Sequence, residues 1–235
     1  MSAYGTVKRS RSDATQTLAS TVWMAQASKT GDLEDVFVYH LKIDSARALD
    51  GLLEYLYSTF SQVMDEGRTY PQEGDMDQVT FESYFFAEDA FVGIKSVGTK
   101  EGDDIMEGRE SPIGILDAKG TRTWEESIAG FYYIKPNYPG RSSHICNGGF
   151  VVPSKNGGRG YGKALGKSYL NYAPKLGYKG SVFNLVYVNN VASVRIWESL
   201  GFTKAGRIPA AGRLRKRGED GEEYVDAWVI HKSFV

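Results

Sequence analysis

An α+β fold built on one twisted sheet, mixed but mostly antiparallel and flanked by helices, is what this sequence predicts. Three observations carry the prediction. The apolar patterns run in the order strand, two helices, three strands, helix, strand, helix, two strands, which fits neither a doubly wound nor a barrel α/β succession. Ile128–Ile134 and His144–Val152 read as strands on either side of an Asn137-Tyr138-Pro139-Gly140 turn, so they make an antiparallel hairpin. The second of these strands runs through a loop with glycines at 157, 158, 160 and 162 into a helix from Tyr161 to about Leu176.

Composition sets the outer bounds. A chain of 235 residues that is 41% hydrophobic and 24% charged suits one soluble globular domain with a tail. A net charge of −1 gives no overall field for nucleic acid or membrane surfaces. No apolar run approaches the roughly 18–20 residues of a membrane helix, and one cysteine, Cys146, cannot make an internal disulfide. Residues 1–30 are rich in Ser, Thr and Ala with Lys8, Arg9 and Arg11, and read as a flexible extension ahead of a domain over 31–235. A cytoplasmic protein is expected, with an organelle-targeting, mitochondrial reading of the tail left open.

In order along the chain, Val36–Ile43 is the first strand. Ser45 caps a helix whose Ala46, Leu49, Leu52, Leu53, Leu56 and Phe60 recur at helical spacing, and Gly67 ends it. Tyr70-Pro71 opens a loop, and Thr80 caps a short helix over Phe81–Ala87. Phe91–Val97 is the second strand; Gly98–Gly108 reads as an exposed loop, and Ile113–Leu116 fits a short extra strand. After the hairpin and the glycine-loop helix, Ser181–Val188 is the fifth strand. Asn189-Asn190 caps a helix over Val191–Leu200 that Gly201 closes. Lys204–Ile208 and Tyr224–Ile230 are the last strands, with a basic loop, Arg213 to Arg217, between them.

The glycine loop carries the first chemical signal. Bare amides at Gly158–Gly162 and the positive end of the following helix make a cradle for a diphosphate, and Arg159 and Lys163 add charge beside it. Gly157-x-x-x-x-Gly162-Lys163 also matches a nucleotide-binding P-loop, but Ala164 stands where that motif needs a hydroxyl for Mg²⁺, and the preceding strand belongs to a hairpin. No metal-ligating pattern is present. The acidic residues Glu219 to Glu223 directly after Arg213–Arg217 make that stretch a solvated hairpin turn and not a nucleic-acid patch.

Arg159-Gly160-Tyr161-Gly162 after a strand, and Asn190 followed by Glu198-Ser199-Leu200-Gly201-Phe202, together resemble the two acetyl-CoA signatures of the GNAT superfamily of N-acetyltransferases. Gly157 departs from the basic or amide residue that the first signature places there. The resemblance implies the acyl-CoA N-acyltransferase fold, with the fourth and fifth strands of this reading splayed apart and acetyl-CoA as co-substrate. It covers roughly 145–205 by motif and most of 36–235 by element order.

A closer resemblance is to the fungal N-acetyltransferases that act on azetidine-2-carboxylate and related proline analogues. Cys146-Asn147-Gly148-Gly149-Phe150, Ser181-Val182-Phe183-Asn184-Leu185-Val186, Asn189-Asn190 and the early Tyr70-Pro71 carry it. It implies a homodimer that acetylates small cyclic imino acids in a detoxifying role, with Asn147 and Asn184 at the substrate and Asn190 on acetyl-CoA.

Acetyl transfer to an amine needs the thioester held, its oxygen stabilised, the amine deprotonated and the thiolate protonated. In this fold the pantetheine arm pairs with the fourth strand; Gly148-Gly149 suits a bulge at the splay, and a free N–H near Val151 or Val152 serves the acyl oxygen. Asn184 sits inside an apolar strand, where a buried amide needs partners; alternation puts it on the face of Asn190, towards the ligand gap. Asn147 before Gly-Gly also suits a turn. The superfamily's Tyr on the last helix falls on Trp197, a poor proton donor, which leaves Tyr187, Tyr161 or a water as the acid. His144 reads as structural, and Cys146 as a buried small hydrophobe without an activating partner. Another small amine or a protein N-terminus as acceptor, and a non-catalytic acetyl-CoA binder, are the alternative functions.

Overall fold

The computed structural model describes residues 16–97, 107–218 and 220–235. Its centre is β4 (Ile128–Pro136), IAGFYYIKP, buried along its whole length because helices cover both faces of the sheet. Around it stand β1 (Thr21–Gln26), β2 (Leu33–Leu41), β3 (Asp89–Lys95), β5 (Ile145–Val151), β6 (Gly180–Tyr187), β7 (Thr203–Arg215) and β8 (Glu222–Ser233). The eight strands run β1-β2-β3-β4-β5-β6-β8-β7 across one sheet. Every neighbouring pair is antiparallel except β5 and β6.

Alternation along the strands sends two sets of side chains to two cores. On one face, α6 (Tyr161–Lys175) and α7 (Val191–Ser199) pack over Phe91, Tyr132, Ile134, Cys146, Phe183 and Val186. On the other, α2 (Leu52–Glu66) and α3 (Gln78–Phe85) pack over Val92, Phe131, Tyr133 and Val151. Leu52, Leu53, Leu56, Phe60 and Met64 form the buried stripe of α2, and Gly67, in the left-handed region at φ +61°, ends it as expected. Among the described residues there are also three short α-helices: α1 (Ile43–Arg47), α4 (Ile115–Lys119) and α5 (Trp124–Ser127).

Five expectations are corrected. The single helix from Ser45 to Gly67 is two, because the chain turns through Gly51 at φ +72° before α2; Ser45 lies within α1. The second helix starts earlier, at Gln78, because Asp77 rather than Thr80 is its cap: the Asp77 carboxylate accepts from the Thr80 N–H at 2.7 Å. Ile113–Leu116 is not a strand; its second half begins α4. The basic loop is largely strand: Arg213 and Arg215 belong to β7, and Arg213 pairs with Glu73 and Glu222.

The fifth correction concerns the extension expected over 1–30. Within it, Val22, Trp23 and Ala25 are buried, and Thr21–Gln26 forms the edge strand β1 against β2. Residues 1–15 lie outside the described part, as do 98–106 of the expected Gly98–Gly108 loop.

Candidate active site

The parallel pairing of β5 with β6 stops after two residue pairs, Ile145 with Gly180 and Cys146 with Ser181. Beyond them the strands part. The break lies in β6, whose register against β8 shifts between Phe183 and Val186, so Asn184 and Leu185 form an irregularity that bends it away. The bulge expected at Gly148-Gly149 is not there: β5 keeps an unbroken register with β4 through both glycines. They are glycines for room. A Cβ on Gly149 would lie 2.5 Å from the Tyr133 ring and 2.7 Å from the Tyr70 hydroxyl, and one on Gly148 would lie 2.9 Å from the Tyr169 ring.

The wedge has an aromatic floor on the α6 side. Trp197 of α7 lies 4.9 Å from Phe150 and 4.6 Å from Phe183, centroid to centroid. Register also decides which β5 amides face the opening. Asn137 N–H donates to Ile145 C=O, so Ile145, Asn147, Gly149 and Val151 spend their backbone groups on β4. Phe150 and Val152 have the opposite parity and point theirs into the gap. Of the two expected donors to the acyl oxygen, Val152 therefore faces the gap and Val151 faces β4. The Phe150 carbonyl accepts from the Tyr70 hydroxyl at 3.2 Å.

A cleft of about 330 Å³ occupies the splay, reaching from Tyr70-Pro71-Gln72 across Lys135 and Asn147 to Asn184, Asn190 and Trp197. Both expected substrate residues line it. They are tied together by a residue that reads in the sequence only as part of a turn. Asn137, itself 3% exposed, accepts at Oδ1 from Asn147 Nδ2 at 2.9 Å and from Asn184 Nδ2 at 2.6 Å. Its own Nδ2 returns a bond to Asn184 Oδ1 at 3.1 Å. Asn184 is not the buried amide expected of an apolar strand; it is exposed, because the parted strands leave it uncovered. Asn147 Oδ1 is buried and, among the described residues, accepts no hydrogen bond.

Lys135 is the second residue the sequence reading passes over. It stands opposite Asn147 in the β4–β5 register and is 7% exposed. Its ammonium lies 3.8 Å from the Tyr84 ring centroid and 4.2 Å from that of Tyr133, and burial pulls its pKa down to about 8. A lysine inside an otherwise apolar strand, just before Pro136, was the available signal.

The glycine loop lies where β5 hands the chain to α6. Gly158 and Gly160 take φ +76° and +83°. Among the described residues, no protein group accepts from the amides of Gly158, Arg159, Gly160, Tyr161 or Gly162. Arg159 and Lys163 are exposed beside them. Five unpartnered amides with two cations at a helix start suit a diphosphate. The loop is also braced by the β1–β2 hairpin: the Gly158 carbonyl accepts from Ser28 N–H in its turn at 2.8 Å, and a Cβ on Gly160 would fall 2.3 Å from the Gln26 carbonyl oxygen. The close approach that Gly160 permits is thus to the neighbouring hairpin.

Asn190 caps α7, accepting at Oδ1 from Ser193 N–H at 3.2 Å, and lines the cleft. The candidate proton donors sort by position. Trp197 Nε1 donates to Ser193 Oγ at 3.1 Å, and the Tyr161 hydroxyl donates to Glu34, outside the cleft. Tyr187 lines the cleft, its hydroxyl pKa raised by burial. His144 is exposed on a turn, its Nδ1 3.1 Å from the Arg141 carbonyl. Cys146 sits 3.1 Å from the Tyr169 hydroxyl with its thiol pushed up to about 12 by burial, which closes off a covalent acyl-enzyme.

A splayed parallel pair beside a free-amide loop is an arrangement for an extended acyl carrier, and comparison with known proteins agrees. The sequence pattern of the Acetyltransferase (GNAT) family matches residues 76–202, more than half of the chain. The chain belongs to the GNAT acetyltransferase family. This GNAT protein is 40% identical over 193 residues to the N-acetyltransferase aca1 of Schizosaccharomyces pombe, covering 82% of this chain and 85% of the relative. It is 29% identical over 208 residues to Protein SPT10 of Saccharomyces cerevisiae, spanning 32% of that longer protein. Its fold is similar to that of a GCN5-related N-acetyltransferase from Kribbella flavida, with a TM-score of 0.61 at 22% identity over 84% of this chain and 98% of that one. It is also similar to yncA from Salmonella typhimurium, solved with acetyl-CoA, with a TM-score of 0.58 at 13% identity over 85% and 94%. The GNAT protein is an N-acetyltransferase that uses acetyl-CoA as co-substrate. Among the described residues no cluster of His, Cys, Asp and Glu suits a metal ion, and no helix is long and apolar enough to cross a membrane.

Proposed function

We propose that this enzyme acetylates the ring nitrogen of small cyclic imino acids, azetidine-2-carboxylate and related proline analogues, in a detoxifying role. The observation that carries the reading is the asparagine set. Asn147 and Asn184 stand on opposite sides of the splay, held in place by Asn137, on the wall that faces α2 and α3. The resemblance of the Asn147 and Asn184 stretches to the fungal proline-analogue enzymes supports the same substrate class, and a cleft of about 330 Å³ suits a small acceptor.

In this reading the amides of Gly158–Gly162, with Arg159 and Lys163, hold the diphosphate, and Asn190 meets the pantetheine arm through its Nδ2. Acetyl-CoA supplies the acetyl group: a C–N bond forms as the C–S bond breaks, the nitrogen loses a proton and the sulfur gains one. The N–H of Val152 or Phe150 serves the acyl oxygen. Asn147 and Asn184 orient the acceptor, and Tyr187, or a water beside it, is left to protonate the leaving sulfur. A homodimer is part of the proposal; the long exposed edge of β7, Thr203–Ala210, is the kind of strand edge that a second copy covers.

The test is thiol release from acetyl-CoA over a panel: azetidine-2-carboxylate, proline and its ring homologues, acyclic amino acids, simple amines and a peptide N-terminus. Turnover strongest with the four- and five-membered imino acids is expected. Turnover confined to peptides, or to acyclic amines, overturns the substrate class; no turnover with any acceptor overturns the assignment of the cleft.

A further inference from the structure

We infer that the Lys135 ammonium is the anchor for a carboxylate on the acetyl acceptor, so that the cleft selects amines carrying a negative charge. The inference deepens the substrate reading above and rests on it for the location of the acceptor, though not for the acceptor's ring.

Lys135 has what a buried cation needs apart from an anion. It lies on the α2/α3 face of the sheet, with Tyr84 of α3 and Tyr133 of β4 presenting their rings at 3.8 and 4.2 Å. Among the described residues its one hydrogen-bond acceptor is the Tyr84 carbonyl, at 3.5 Å. Among the described residues no carboxylate pairs with it. A buried ammonium without a counter-ion is costly, and a methionine would fill the same space without that cost. Lys135 therefore has a partner to meet, or it works as a neutral amine.

The aromatic faces decide between these. Ring quadrupoles attract an ammonium and give a neutral amine nothing comparable, so the two tyrosines hold the charged form. Burial leaves the pKa at about 8, still protonated at neutral pH. The anion has to come from the cleft, which Lys135 lines. The neighbour across the strands completes the picture: directly opposite residues of an antiparallel pair share a face, and Asn147 carries an acceptor, Oδ1, with no donor among the described residues. This wall lacks one anion beside Lys135 and one N–H beside Asn147. An imino acid brings both, attached to one carbon.

The test compares acceptors matched except for the carboxylate: azetidine-2-carboxylate against azetidine, proline against pyrrolidine, and alanine against ethylamine. Each pair is measured with the wild type, Lys135→Met, Lys135→Gln and Lys135→Arg by thiol release at pH 7, with thermal melts to verify folding. The wild type should prefer the acid of each pair it uses. Lys135→Met and Lys135→Gln should raise KM for the acid roughly ten- to hundred-fold, the scale of one charge-assisted bond. KM for acetyl-CoA, kcat and the neutral amine should stay unchanged, and Lys135→Arg should recover part of the preference. Equal losses for acid and neutral amine, or a fall in kcat alone, overturn the inference. So does a wild type that prefers no acid, either in turnover or in calorimetric binding. Preference for alanine over ethylamine with no use of cyclic acceptors overturns the imino-acid reading and leaves Lys135 as the anchor.

Discussion

Asn137 and Asn184 exchange two side-chain hydrogen bonds across the parted strands, at 2.6 Å from Asn184 Nδ2 to Asn137 Oδ1 and at 3.1 Å in return. The pair bridges the end of β4 to the irregular stretch of β6. It holds the mouth of the cleft at a fixed width where backbone pairing has ceased.

The first prediction concerns that bridge. Asn137→Ala removes the shared acceptor and leaves Asn147 Nδ2 without a protein partner in a half-buried place. It should cost about 1–3 kcal/mol of stability and lower kcat/KM for the acceptor more than tenfold. Asn184→Ala removes an exposed side chain but takes the acceptor of the buried Asn137 Nδ2, so it too should cost about 1–3 kcal/mol while turnover falls comparably. Denaturation midpoints and steady-state kinetics on the two variants check this. A large loss of stability in Asn184→Ala with turnover intact would contradict the assignment.

The second prediction concerns Gly160. Its added Cβ meets Gln26 backbone atoms at 2.3 and 2.5 Å, and its φ of +83° is strained for any L side chain. Gly160→Val should therefore unseat β1 as well as weaken acetyl-CoA binding. Hydrogen exchange should show lost protection at residues 21–26 together with a lower melting temperature. Normal protection at β1 with cofactor affinity alone reduced would mean that the loop moves independently of the hairpin.

How much of this was legible in the sequence follows from which signals are local. The loop and helix at 157–176 declare themselves through glycine spacing, and α2 through its apolar stripe and terminal Gly67. The hairpin of β4 and β5 is marked by its own turn residues. β1 was hidden because TVWMAQ sits in a Ser/Thr-rich tail, although Val22, Trp23 and Ala25 were apolar evidence for a strand. The site itself was half legible. Asn184 stands out as an amide in an apolar strand, whereas Asn147, before Gly148-Gly149, also suits a turn and is singled out by the resemblance. Asn137 looked like a turn residue, and its second role arises only from tertiary placement at the mouth of the splay. Lys135 was overlooked because nothing local says that two tyrosines, one of them 51 positions away on α3, will enclose its ammonium.

The third prediction separates two roles of Asn190. Its Oδ1 caps α7, while its Nδ2 remains for a ligand. Asn190→Ala should lose the cap, at about 0.5–2 kcal/mol, and acetyl-CoA affinity with it. Asn190→Ser keeps a capping oxygen and loses the amide donor. It should melt like the wild type and still show a raised KM for acetyl-CoA. Wild-type KM in Asn190→Ser would confine Asn190 to capping.

The fourth prediction follows from the depressed pKa of Lys135. Burial lowers it to about 8 from an ordinary value near 10.4. Above pH 8 the ammonium is progressively lost, so KM for an anionic acceptor should rise with pH, by up to about tenfold per unit. The acceptor's own amine titrates in the same range; Lys135→Arg, which stays charged throughout, experiences that titration identically and serves as the reference. The ratio of the two KM values should climb from pH 8 to 10. Tyr70, on the cleft wall, adds no charge there, since burial holds its hydroxyl well above the usual phenol value. Stability of the free protein runs the other way. Between pH 8 and about 10.4 the unfolded chain binds more protons at this lysine than the folded one, so stability rises with pH through that window. The gain of Lys135→Met over the wild type should be largest below pH 8 and shrink towards pH 10. Denaturation midpoints of the two proteins at pH 7, 8, 9 and 10 measure this, and a difference independent of pH would mean that Lys135 folds with an ordinary pKa.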